Sequence, residues 1–225
     1  MDLSLSPDLS TRNLFLKACE KGDLELVRVL LSRGANVNWR EEVDDLQSGL
    51  HIAAHRGDGD LLDLLLAQPG VEVNIKDSER STPLMWACIF GKENVVRKLL
   101  QVDSIDLNYQ DQDGDTALHW AARFPNPGCL KLLREAPGLK WNVKNVSGKT
   151  PLLVAAEGDH QRCVQLLCDD SRVDWNTRDS ATGNTPLLAC LESGKVEMAK
   201  ILLRNPRVDL NVQNDAGKFP ETIAR

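Results

Sequence analysis

The 225-residue chain carries 27 Lys and Arg against 33 Asp and Glu, a formal net charge of -6, with 42% hydrophobic and 27% charged residues. Such a composition supports a packed core and excludes a disordered chain, and without a basic stripe it argues against nucleic acid, whose phosphates need clustered cations. The apolar runs are as short as Leu64-Leu65-Leu66-Ala67 and the first ten residues lack a signal-peptide pattern, so the expectation is no membrane partner and a cytosolic or nuclear location.

In chain order, residues 1–10 read as a tail, and similar units start near 11, 43, 77, 111, 145 and 180, with a partial unit from 214. The first unit carries Lys17, Glu20, Lys21 and Asp23 and reads as a cap with a polar outer face. The second opens on a longer acidic stretch, Glu41 to Gln47, and has Ser48 where later units have threonine. Those later threonines fall at Thr82, Thr116, Thr150 and Thr185, spaced 34, 34 and 35 residues apart. Two further markers keep the beat: Asn38, Asn74, Asn108, Asn142, Asn176 and Asn211, and the double leucines from Leu30-Leu31 to Leu202-Leu203. Three markers in phase make this a repeat protein.

Each unit has a mechanical reading. Thr caps a helix whose first turn is set by Pro, as in Thr82-Pro83, Thr150-Pro151 and Thr185-Pro186. Alanine pairs such as Ala53-Ala54 keep that helix thin, and glycines such as Gly57 and Gly91 end it. A second helix follows with apolar residues at helical spacing, as in Val95, Val96, Leu99 and Leu100. A polar turn such as Gln110-Asp111-Gln112-Asp113-Gly114 closes the cycle. One unit cannot bury its apolar face alone, so the units stack.

The Thr-Pro-Leu-His-x-Ala pattern and the period resemble the ankyrin repeats, with His51 and His119 in the histidine place and Met85, Leu153 and Leu188 replacing it. The resemblance implies an all-α solenoid of helix–turn–helix units with β-hairpin-like fingers, about six repeats and a C-terminal stub, over residues 11–225. Lys218 to Arg225 supply one short helix, which favours a chain that continues as the N-terminal domain of a longer protein.

Chemistry is sparse. No nucleophile–base pair, phosphate loop or metal-ligand spacing occurs, so no enzyme, cofactor or metal is expected. Cys19, Cys88, Cys129, Cys163, Cys168 and Cys190 read as buried, reduced thiols. Cys129 and Cys163 hold equivalent places in neighbouring units, and a stacking distance of about 10 Å puts them beyond disulfide reach.

A partner protein or peptide, basic if the net charge guides it, is therefore the expected ligand, with no small molecule. By resemblance it meets the finger tips and exposed first-helix residues: Trp86, Ile89, Phe90, Asp113, Asp115, Trp120, Arg123 and Phe124, together with Ser81. Trp86, Trp120 and Phe124 also resemble part of the methyl-lysine cage of histone methyltransferase ankyrin domains. Ile89 and Ser81 stand where that cage has an acid and a further Trp. Packing between repeats is the simpler use of the two tryptophans, while Trp39, Trp141 and Trp175 are expected at the finger bases. The sequence before Asn74 (Leu66, Glu72, Val73), and likewise before Asn108 (Leu100, Asp106, Leu107), resembles what the ankyrin-directed asparaginyl hydroxylase prefers. The other readings kept open are a methyl-lysine reader and a targeting domain of a larger enzyme.

Overall fold

The computed structural model describes residues 9–41 and 45–223, and its helices come in consecutive pairs, α1/α2 to α11/α12, followed by the single short α13. Glu42 to Asp44 of the acidic finger, the first eight residues and the final Ala224-Arg225 lie outside the described residues. Two units separate near residue 106. In the first, the first helices α1 (Leu9–Lys21), α3 (Gly49–Arg56) and α5 (Pro83–Ile89) stack in one layer; the second helices α2 (Leu24–Ser32), α4 (Gly59–Leu66) and α6 (Glu93–Leu99) form another. The second unit repeats the plan. Its first helices are α7 (Ala117–Ala122), α9 (Pro151–Glu157), α11 (Pro186–Glu192) and α13 (Pro220–Ile223). Its second helices are α8 (Gly128–Arg134), α10 (Gln161–Cys168) and α12 (Val196–Leu203). Helix α1 begins two residues inside the expected tail.

The threonine beat is a row of helix caps. The hydroxyls of Thr82, Thr150 and Thr185 accept the N–H of Met85, Leu153 and Leu188 at 3.4, 3.4 and 3.3 Å. In the two units that keep the histidine, its ring binds the cap. His51 Nδ1 accepts the Ser48 N–H at 3.2 Å, so Nε2 carries the proton and donates to the Ser81 carbonyl of the next repeat at 3.0 Å. His119 likewise accepts from Thr116 N–H at 3.1 Å and donates to the Lys149 carbonyl at 3.0 Å. Burial holds both rings neutral: it pushes the His51 pKa down to about 4 and lowers that of His119 as well.

Small residues let the layers close. Ala53, Ala54, Ala155 and Ala156 are fully buried, as are Leu65, Leu99 and Leu133 behind them. Each buried Leu contributes about 1.5–3 kcal/mol relative to exposure. The asparagine beat is a ladder between repeats. Asn74 Nδ2 donates to the Ser104 carbonyl at 2.7 Å while its Oδ1 accepts the Asp106 N–H at 2.9 Å. Asn108 does the same with Gly138 at 2.9 Å and Lys140 at 2.8 Å.

The fingers keep the hairpin-like form that the resemblance implies, but as turns too short to hold a strand. Among the described residues there is no strand, and the Arg40–Ser48 bridge is isolated. The fingers at 111–115 and 145–149 are tight turns, each closed by two main-chain bonds: Asp111 N–H to Asp115 O at 3.0 Å with Gly114 N–H to Asp111 O at 3.1 Å, and Asn145 N–H to Lys149 O at 3.0 Å with Gly148 N–H to Asn145 O at 2.8 Å. A turn this short leaves no room for a ladder. Gly114 sits at φ +75° with the Val146 nitrogen 2.9 Å from where a Cβ would be, so a side chain there is excluded twice over.

Candidate functional site

The first-helix face of the first unit is aromatic and open. Phe90 follows α5 and is 42% exposed, with its ring centroid 4.3 Å from that of His55 at the end of α3. Trp86 lies 5.6 Å from Phe90 and 5.9 Å from His55, edge-on to the latter. Ile89 is half-buried beside them. Trp86 packs between repeats, edge-on to His51 at 5.5 Å as well as to His55, yet stays half-buried, and its indole N–H donates to Asp77 Oδ2 at 2.7 Å. Asp77 in turn accepts the Ser81 N–H at 2.7 Å, so the tryptophan ties the finger to its own helix. Ser81, expected on the exposed face, is only 5% exposed and is withdrawn from it.

The second unit builds the same scaffold with charges. Trp120, also half-buried, donates to Asp111 Oδ2 at 2.8 Å, repeating the tie seen at Trp86. Desolvation is the largest effect on Asp111 and raises its pKa, although the Trp120 and backbone donors pull the other way. Arg123 lies over the Trp120 ring at 4.7 Å and pairs with Asp115. Asp115 is 1% exposed, a correction to its expected place on the contact surface, because Arg123 and the Asn145 amide at 2.7 Å both claim its carboxylate. Eight residues separate Asp115 from Arg123, and the same offset recurs. Lys149 Nζ meets Glu157 at 2.6 Å and Asn184 donates to Glu192 at 2.8 Å, with Lys218 adding a contact to Glu192 at 3.1 Å. This offset-eight pairing was readable in the sequence and is absent from the reading above.

Beneath this stripe, between the tips at 113–115 and 145–149 and the end of α9, lies a cleft of about 430 Å³. Asp113 is exposed at its rim. Phe124 is half-buried, and its carbonyl accepts from the Cys163 thiol at 3.2 Å, which holds the irregular turn before α8. The cage residues thus fall in both units: Trp86 in the first, Trp120 and Phe124 in the second. One face of Trp120 already carries a cation from its own chain.

Trp141 and Trp175 are buried at the finger bases, 4% and 3% exposed, and their indole N–H groups find no partner. Trp39 is edge-on to Phe15 at 6.0 Å. Five of the six cysteines are buried, and burial pushes the thiols of Cys19 and Cys190 up to about 12 and that of Cys163 to about 11. Such thiols are poor nucleophiles at neutral pH. Among the described residues no His, Cys, Asp and Glu group is arranged to hold a metal ion, and no helix is long and apolar enough to cross a membrane.

Known proteins bear on this arrangement. A family profile described as "Ankyrin repeats (3 copies)" matches residues 50–145 and 126–214, and one described as "Ankyrin repeats (many copies)" matches residues 15–66. The "E3 ubiquitin-protein ligase XB3" of Oryza sativa subsp. japonica is 36% identical over 89 residues, 40% of this chain and 20% of the ligase. The "Transient receptor potential cation channel subfamily A member 1" of Homo sapiens is 32% identical over 84 residues, 37% of this chain and 7% of the channel. These matches therefore span a fifth or less of either relative. Among solved structures, the ankyrin repeat domain of Bcl-3, a member of the IkappaB protein family, superposes with a TM-score of 0.74 at 31% identity. That match covers 80% of this chain and 81% of the Bcl-3 chain.

Proposed function

The chain belongs to the ankyrin-repeat family, and from that premise we propose that it is a protein–protein interaction module that docks a partner protein or peptide and performs no chemistry of its own. The observation that carries the docking site is Phe90, 42% exposed and tilted against the His55 ring at 4.3 Å, with Ile89 and Trp86 alongside. Aromatic residues held rigidly at a surface are the usual anchors of an interface. The cytosol or nucleus is the proposed location, since six free cysteines suit a reducing compartment. If the segment serves as the targeting domain of a larger enzyme, the docking face is the same.

The methyl-lysine alternative through Trp86, Trp120 and Phe124 has less support. Arg123 lies over Trp120, and Ile89 and a buried Ser81 occupy the places of an acid and a further Trp. The test of the main reading is affinity capture with the purified chain and with Ile89→Ser/Phe90→Ser. A partner captured by the first and lost by the second, with both folded, supports the site. Equal capture by both removes it.

A further inference from the structure

We propose that the cleft at the finger tips of the second unit receives one basic side chain, lysine or arginine, of the partner protein. This rests on the reading of the chain as an interaction module and names what that partner must present. The argument is a charge count in a cleft that is half open to solvent. Three carboxylates, Asp113, Asp115 and Glu157, line the 430 Å³ cleft against two cations, Arg123 and Lys149. Both cations are spent: Arg123 pairs with Asp115, and Lys149 with Glu157 at 2.6 Å. Asp113 is exposed and has no ion pair among the described residues. One incoming cation completes the balance.

Shape agrees with charge. Val154, 7% exposed, and Val146, 70% exposed, both line the cleft. An apolar stem ending in a charged head, as in lysine and arginine, suits a lining of that kind. An incoming carboxylate would meet Asp113 and would have to break an existing pair. A purely apolar side chain would dehydrate Asp113 and leave it without a partner, which is costly.

The probe is the capped tripeptide acetyl-Gly-Arg-Gly-amide, titrated into the full 225-residue chain with amide resonances followed by NMR. The expected result is saturable shifts at Val146, Val154 and Gly158. Asp113→Asn should weaken binding about fivefold, the scale of one partly exposed ion pair. Lys149→Met should strengthen it, because Glu157 is then free to accept. The citrulline peptide, of the same shape without the charge, should produce no saturable shift. Equal binding of the citrulline peptide, an unchanged Asp113→Asn, or no saturable shift with arginine each overturns the proposal. Partner capture through Phe90 is a separate readout. A chain that captures its partner but ignores the arginine peptide removes the cleft alone, whereas capture indifferent to Phe90 removes the docking face.

Discussion

The two units place different residues on one scaffold. At the end of its first helices the first unit has His55 and Ile89, with Phe90 just after α5, and none of these side chains forms an ion pair among the described residues. The second unit has Arg123, Glu157 and Glu192 at the equivalent places, and each meets a residue eight positions earlier in its own finger. A paired charge at a surface contributes about 0–1 kcal/mol to stability and has little left to offer a partner. An exposed aromatic ring gains free energy only when something covers it. The difference teaches that first-helix residues alone do not define an interface. What matters is whether the finger eight residues back has already satisfied them.

The largest expected effects are those the units share. Trp86→Ala and Trp120→Ala each remove a half-buried ring and leave Asp77 or Asp111 without its indole donor. Each should lose about 2–4 kcal/mol in denaturant unfolding. A loss in one unit only would show that the tie between finger and helix is not common to both. Binding should then separate the units. Phe90→Ser should cost about 1–3 kcal/mol of partner affinity, whereas Glu192→Gln should cost less than about 0.5 kcal/mol. Calorimetry on the captured partner reads both numbers.

Acid sharpens the comparison from another side. Burial lowers the His51 pKa to about 4, below the usual value of 6.5, so the folded state excludes a proton that the unfolded chain accepts. The stability that follows is complete above pH 6.5 and is lost as the pH falls from 6.5 to about 4. His51→Leu should flatten that fall while losing stability at neutral pH, since the Ser81 carbonyl loses a donor. Thermal melts between pH 7 and 4 check it, and a slope unchanged by the substitution would locate the acid sensitivity elsewhere. The smallest effect belongs to the finger bases. Trp175→Phe removes a buried N–H that has no partner and should change stability by less than about 1 kcal/mol.

The repeat frame was legible because stacking forces it. Caps, alanine pairs and leucines recur wherever one unit must cover the next, so Thr82, Thr150 and Thr185 cap helices as read. The asparagine beat and its hydrogen bonding at the finger base, which the resemblance implies, were legible; the particular partners were not, since each carbonyl lies about 30 residues on and carries no side-chain signature. Phe90 was found as an apolar residue at an exposed place. Asp115 and Ser81 lie further in than their pattern suggests because each closes its finger turn through both its carbonyl and its N–H, onto Asp111 and Asp77, a local pairing that the repeat pattern does not mark. The half-buried state of Trp86 and Trp120 depends on Asp77 and Asp111 nine residues earlier, a spacing with no helical or strand period to advertise it.

The central claim, that the partner's aromatic anchor is the first unit's face around Phe90 and that the paired Glu192 end of the second unit takes no part, is tested most directly by site-specific photo-crosslinking. A photoreactive phenylalanine replaces Phe90 in one sample and Glu192 in another. The account predicts a covalent adduct with the partner from position 90 and none from 192. Adducts from 192 with none from 90 would contradict it.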